Sequence, residues 1–185
     1  MIRNPLLLAI LFLGTTDCLW AQNPPISGDL FAPRGERRSP NGKFEWRVRD
    51  LPPMRYELIN LATGKPIAVV ASYYSSPGDS RYAHAVGVYW NSESTVVALD
   101  ELNRRRAGYL YFFVVHNATA KGMRAERMIP VPTTVDEARL VVDPGWITPG
   151  KVRVRLTEKF PARTPESKFY LIDFSDPENP KASLD

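Results

Sequence analysis

This chain is predicted to fold as an all-β protein of mainly antiparallel sheets. Apolar residues recur at every second position in short runs, and Gly, Pro, Ser and Asn turns separate those runs. Proline makes up 17 of 185 residues, which is hostile to long helices. Order is expected from residue 43, because Phe44, Trp46 and Val48 alternate with Glu45, Arg47 and Arg49 at the period of a half-buried strand. Residues 55–60 and 66–71 read as a hairpin around Ala62-Thr63-Gly64-Lys65, whose glycine can supply a positive φ. Residues 72–81 (SYYSSPGDSR) form a loop, and residues 83–90 then place His84, Val86, Val88 and Trp90 on one strand face. Strands over 95–99 and 107–115 follow, joined by the charged connection 100–106. The run from Tyr109 to Val115 is apolar on both faces, so it is expected to be a central strand covered on both sides. A further strand is expected over 123–129, ending at Pro130 and Pro132. The one short helix is placed at 135–140, where Thr134 and Glu137 have capping-box spacing and Asp136 suits a first turn. After Asp143-Pro144-Gly145, a strand over 151–156 turns Val152, Val154 and Leu156 inward and Lys151, Arg153 and Arg155 outward. Residues 168–174 make the last strand, and the tail 175–185 is expected to be disordered.

With 44% hydrophobic and 24% charged residues, the composition is that of one modest globular domain. Residues 1–21 have the order of a secretory signal: Arg3, the apolar run 6–13 (LLLAILFL), then a more polar stretch ending at Ala21. Such a run falls short of the about 20 apolar residues a spanning helix needs, so cleavage near Ala21 and a mature chain without a transmembrane span are expected. Cys18, the only cysteine, would leave with the signal; Asp17 and Thr15 stand where a lipoprotein signal has a small residue and a leucine. The mature chain then has no disulfide, no cysteine nucleophile and no thiolate metal site. Residues 22–42, rich in Pro, Gly, Ser and Arg, read as a flexible linker, leaving 43–174 as the β domain. A net charge of +4 favours anionic surfaces such as acidic polysaccharide or lipid headgroups, whereas nucleic acid is not expected without a recognisable module.

An internal echo runs through these elements. A polar turn leads into a strand at Ser39-Pro40-Asn41-Gly42-Lys43-Phe44, at Asn91-Ser92-Glu93-Ser94-Thr95-Val96 and at Ile147-Thr148-Pro149-Gly150-Lys151-Val152. Lys43, Thr95 and Lys151 are equivalent, 52 and then 56 residues apart, and Trp90 and Trp146 stand in the same place before the second and third turns. With SPNGKFEW (39–46), YELINLATGKPI (56–67) and WNSESTVVAL (90–99), the chain resembles TolB-like and WD-repeat propeller blades. More closely, it resembles small exported bacterial proteins of unknown function that carry such blades. Glu93 stands where the blade motif has Asp, and neither a Trp-Asp dipeptide nor a Gly-His pair occurs. The resemblance implies blade-like meander sheets. With three lead-in turns against the usual minimum of about four blades, it implies an open or partial propeller or a sandwich-like stack.

Chemistry-bearing residues are sparse. His84 and His116 lack ligand company at metal spacing, and neither an acidic calcium loop nor a G-x-S-x-G elbow occurs, so no metal or cofactor is expected. Asp100 and Glu101 are adjacent and point to opposite faces when extended, a poor arrangement for a glycosidase pair; they are expected to solvate a loop. The aromatic concentration Tyr73, Tyr74, Tyr82, Tyr89 and Trp90 is the best candidate binding surface, with Arg104, Arg105 and Arg106 as a neighbouring basic cluster. The competing readings are that Tyr89 and Trp90 pack in the core and that the arginines tip a hairpin against aggregation. The expected function is an exported, monomeric, non-enzymatic module that binds an envelope protein or glycan. The alternative is a cell-envelope hydrolase assembling a serine and an acid around His84 or His116.

Overall fold

A computed structural model describes residues 37–49, 55–71, 86–101, 109–133, 137–160 and 164–185. Among the described residues, eleven strands form three antiparallel sheets, each with its strands in sequence order, and none of these closes into a barrel. Sheet I holds β1 (Phe44–Arg49), β2 (Arg55–Asn60) and β3 (Lys65–Ala71), with an isolated bridge from Arg38 to Glu45 continuing its first edge. Sheet II holds β4 (Val86–Trp90), β5 (Val96–Glu101), β6 (Leu110–His116) and β7 (Thr119–Arg124). Sheet III holds β8 (Glu137–Thr148), β9 (Lys151–Lys159), β10 (Glu166–Asp173) and β11 (Lys181–Leu184).

The sheets stack with II in the middle, because β5 and β6 are apolar on both faces. Val97, Leu99, Phe113 and Val115 pack with Phe44, Trp46, Tyr56 and Leu58 of sheet I. Their alternates Val96, Ala98, Phe112 and Val114 pack with Leu140, Val152, Val154, Leu156 and Ile172 of sheet III. The β5–β6 centre of sheet II is thus buried on both faces, while sheets I and III each have one outward face, the pattern that pleat alternation dictates for a middle and two outer layers. On the outer face of sheet I, buried Glu57 lies 2.9 Å from Arg49 Nε and 2.8 Å from Arg55 Nε.

Five sequence expectations need correction. Glu137 to Leu140, expected in the helix 135–140, instead begin β8; Ala138, Leu140 and Val142 alternate into the core, and pairing of Glu137 with Lys159 through Val142 with Val154 outweighs a local capping signal. Residues 135–136 lie outside the described residues. The strand expected over 123–129 is displaced to β7, since Asn117 adopts φ 49° in a tight turn that pairs His116 with Thr119; Ala125–Arg127 form a 3-10 turn. In the tail expected to be disordered (175–185), Asp176 accepts hydrogen bonds from Glu178 N and Asn179 Nδ2, and the reversed chain lays β11 on β10. In the linker expected over 22–42, residues 37–42 are ordered against β1. Asp100 and Glu101 do not solvate a loop but complete β5, each 1% exposed, with Glu101 N–H donating to Tyr109 O at 3.0 Å and Glu101 Oε1 accepting from Tyr56 OH at 3.3 Å.

Asp173, at the end of β10, accepts hydrogen bonds from Ser175 Oγ at 2.6 Å and Ser175 N at 2.8 Å and lies 3.2 Å from Lys151 Nζ. The Ser175 hydroxyl first, then its amide and the lysine, hold the carboxyl at about 2 instead of 3.8. A folded value below the unfolded one means the stabilisation is complete above the unfolded value and is lost as pH falls from 3.8 through about 2. Urea unfolding at stepped pH is therefore expected to show a shallower acid decline in Asp173→Asn than in the wild type. Parallel declines would remove Asp173 from the acid limb.

Candidate functional site

The polar turns that precede β1 and β5 share one architecture. Ser39 Oγ accepts Phe44 N–H at 2.9 Å, while Gly42, at φ 70°, donates its N–H to Ser39 O at 2.8 Å. In the second turn Asn91 Oδ1 accepts the N–H groups of Thr95 and Val96 at 2.9 and 3.0 Å, and Ser94, at φ 60°, donates to Asn91 O at 3.0 Å. The third turn differs, since Ile147 offers no side-chain acceptor and Thr148 pairs directly with Lys151 around Pro149-Gly150. All three lie side by side at one end of the stack: Asn41 N donates to Ser94 Oγ at 3.0 Å, and Asn91 Nδ2 donates to Pro149 O at 2.8 Å.

Beside these turns a cleft of about 390 Å³ opens where the leading edges of the three sheets converge. Sheet I contributes Arg38 and Pro40, β4 contributes Val88, Tyr89 and Trp90, and β8 contributes Pro144, Gly145 and Trp146. The β8–β9 ladder shifts register between Val142 and Trp146, and Gly145 takes φ 144°, a backbone state that favours glycine. That irregularity brings Trp146 back against sheet II, where its Nε1 donates to Tyr89 O at 3.0 Å and its ring tilts against Phe174 with centroids 5.9 Å apart. Trp90 stacks on Phe44 at 6.2 Å across the gap to sheet I, and its Nε1 is buried without a hydrogen-bond partner among the described residues. Both indoles are half-buried, so each ring is fixed by packing and still contributes to the wall. The walls are chiefly aromatic and pyrrolidine rings, and Arg38 is the one charged side chain among the described residues that line them.

Of the residues singled out from sequence, Tyr89 and Trp90 meet in this cleft. Their rings pack between sheets and also line an open surface. Tyr73, Tyr74, Tyr82, His84, Arg104, Arg105 and Arg106 lie outside the described residues, as does the segment 1–21 with Cys18. Sequence reasoning missed Arg38, Pro40, Pro144 and Gly145; the only signal for Trp146 was its matching place with Trp90 before a lead-in turn. His116 is exposed at the end of β6, its Nε2 3.8 Å from Glu178 Oε1, and the same carboxylate pairs with Lys121. Among the described residues no group of three His, Cys, Asp or Glu side chains could hold a metal ion.

A second groove, of about 450 Å³, runs between the outer edges of sheets I and II past Val69, Tyr111 and Met123. Of its two arginines, Arg124 and Arg127, Arg124 lies over the Tyr109 ring at 3.7 Å, and burial pushes the Tyr111 hydroxyl pKa up. Compared with protein-family models, with curated proteins and with solved structures, the chain matches none.

Proposed function

We propose that this chain is an exported, non-enzymatic binding module of the bacterial cell envelope, built as a partial array of propeller-like blades, whose ligand seats in the cleft between Trp90 and Trp146. The observation that carries this reading is the convergence of two packed indoles and one exposed arginine, contributed by all three sheets, on a single open concavity. Rigid aromatic surface is what binding sites favour, since it contributes contact area at low conformational-entropy cost. The blade resemblance is supported by three successive meanders packed face to face, and export by the Arg3, 6–13 and Ala21 pattern. Around His116 the described partners are Glu178 and, through it, Lys121, an arrangement suited to a solvated ion pair.

The test is to titrate the chain lacking residues 1–21 with soluble envelope glycan and protein fractions while following tryptophan emission. An active fraction is expected to bind Trp90→Ala and Trp146→Ala roughly tenfold or more weakly, as when a hot-spot ring is truncated. It should also protect Trp146 of the wild type from oxidation, a readout that needs no variant to fold. Binding without that protection, or unchanged in both variants, would overturn the cleft assignment.

A further inference from the structure

The geometry points to an acidic polysaccharide as the occupant of the cleft, with Arg38 receiving a sugar carboxylate while the indoles of Trp90 and Trp146 receive the faces of pyranose rings; this rests on the cleft being a binding site at all. The first argument is charge. The Arg38 guanidinium is exposed and has neither hydrogen bond nor ion pair among the described residues, whereas Arg47, Arg49 and Arg55 of sheet I are each within 2.9 Å of a glutamate oxygen. Among the described residues that line the cleft there is no carboxylate to compete with an incoming anion. A guanidinium presents a planar fork that matches a carboxylate through two parallel hydrogen bonds.

The second argument is the shape of the walls. An extended peptide that adds as a strand needs a run of free backbone groups along a sheet edge. Here Tyr89 O on the β4 edge is already taken by the Trp146 indole at 3.0 Å, and β8 is interrupted by its register shift around Pro144 and Gly145. What remains are ring faces, which suit the C–H faces of a sugar. A single-stranded nucleic acid also stacks on aromatic rings, but it calls for a groove of several cations tracking the phosphates, and the described residues of these walls include one. The net charge of +4 adds a long-range attraction for a polyanion.

The experiment uses the chain lacking residues 1–21 and a panel of uronate oligomers, each beside its carboxyl-reduced neutral counterpart, with an acidic proline-rich peptide and single-stranded DNA as competitors. At least one uronate is expected to quench tryptophan emission and to bind about ten- to a hundredfold more tightly than its neutral counterpart, the range a charge-assisted hydrogen bond supplies. Arg38→Gln is expected to erase that difference and Arg38→Lys to restore part of it. Since Arg38 is exposed, neither change touches the core. Equal binding of acidic and neutral oligomers, indifferent to Arg38, would overturn the carboxylate assignment and leave the cleft reading standing. Binding of the peptide or the DNA alone, lost in Trp146→Ala, would overturn the sugar assignment. Uronate binding untouched by Trp90→Ala and Trp146→Ala would instead sink the cleft itself, and no binding by any uronate would overturn the present inference.

Discussion

Phe112→Ala is expected to lower unfolding stability by about 3–5 kcal/mol, the range for truncating a core phenylalanine. Phe112 is fully buried in mid-strand β6, on the face of sheet II that meets sheet III, with its ring centroid 5.2 Å from that of Phe174. Its backbone pairs with Ala98 on one side and Met123 on the other, so two ladders hold the site open after truncation. A cavity between two hydrogen-bonded sheets has little freedom to collapse, and the lost contacts add to the lost transfer free energy. A domain of this size has about 5–15 kcal/mol to lose, so the change should move the urea midpoint far toward water. Val69→Ala is the matched control, because Val69 is 54% exposed and should cost only a few tenths. A loss below about 1 kcal/mol in Phe112→Ala would mean that the contact between sheets II and III is not a packed core.

The second large effect is expected at Asn91, a polar residue only 1% exposed. Its amide oxygen accepts two backbone N–H groups, and its Nδ2 donates to Thr95 Oγ1 at 2.9 Å and to Pro149 O at 2.8 Å. Asn91→Ala removes all four bonds and leaves the buried Val96 N–H without that acceptor, which should cost on the order of 3 kcal/mol. Asn91→Asp keeps the acceptor oxygen and loses the donor, so it should fall between wild type and alanine. The ordering wild type, Asp, Ala in thermal unfolding checks this account; an aspartate variant no better than alanine would place the value in the link to sheet III. Because Asn91 follows Trp90 directly, the alanine variant is also expected to loosen the cleft wall.

Strand periodicity was legible where one side of a strand is apolar and no competing local signal overlies it. Phe44 and Trp46, and Val152, Val154 and Leu156, point into the core as their alternation requires. The two-sided apolar run became the β6 centre of the middle sheet. Legibility failed where local and distant signals disagree. Glu137 to Leu140 carry a capping signal for a helix, yet β9 offers them a ladder, and the ladder wins. Residues 181–184 have no strong strand character of their own and become β11 because β10 has an unpaired edge. Asp100 and Glu101 looked like loop residues because charge implies solvent, but the sheet continues through them and buries both.

The candidate site divides in the same way. Tyr89, Trp90 and the repeated place of Trp146 are properties of the sequence, since composition and spacing are written along the chain. That Arg38, Trp90 and Trp146 share one cleft is a property of the stack alone. Pleat alternation is decided between neighbouring residues, so sequence determines which side chains of a strand share a face. Which sheet that face meets, and which residues from distant strands then surround one cavity, depends on long-range packing that places Arg38, Trp90 and Trp146 together only after all three sheets have formed.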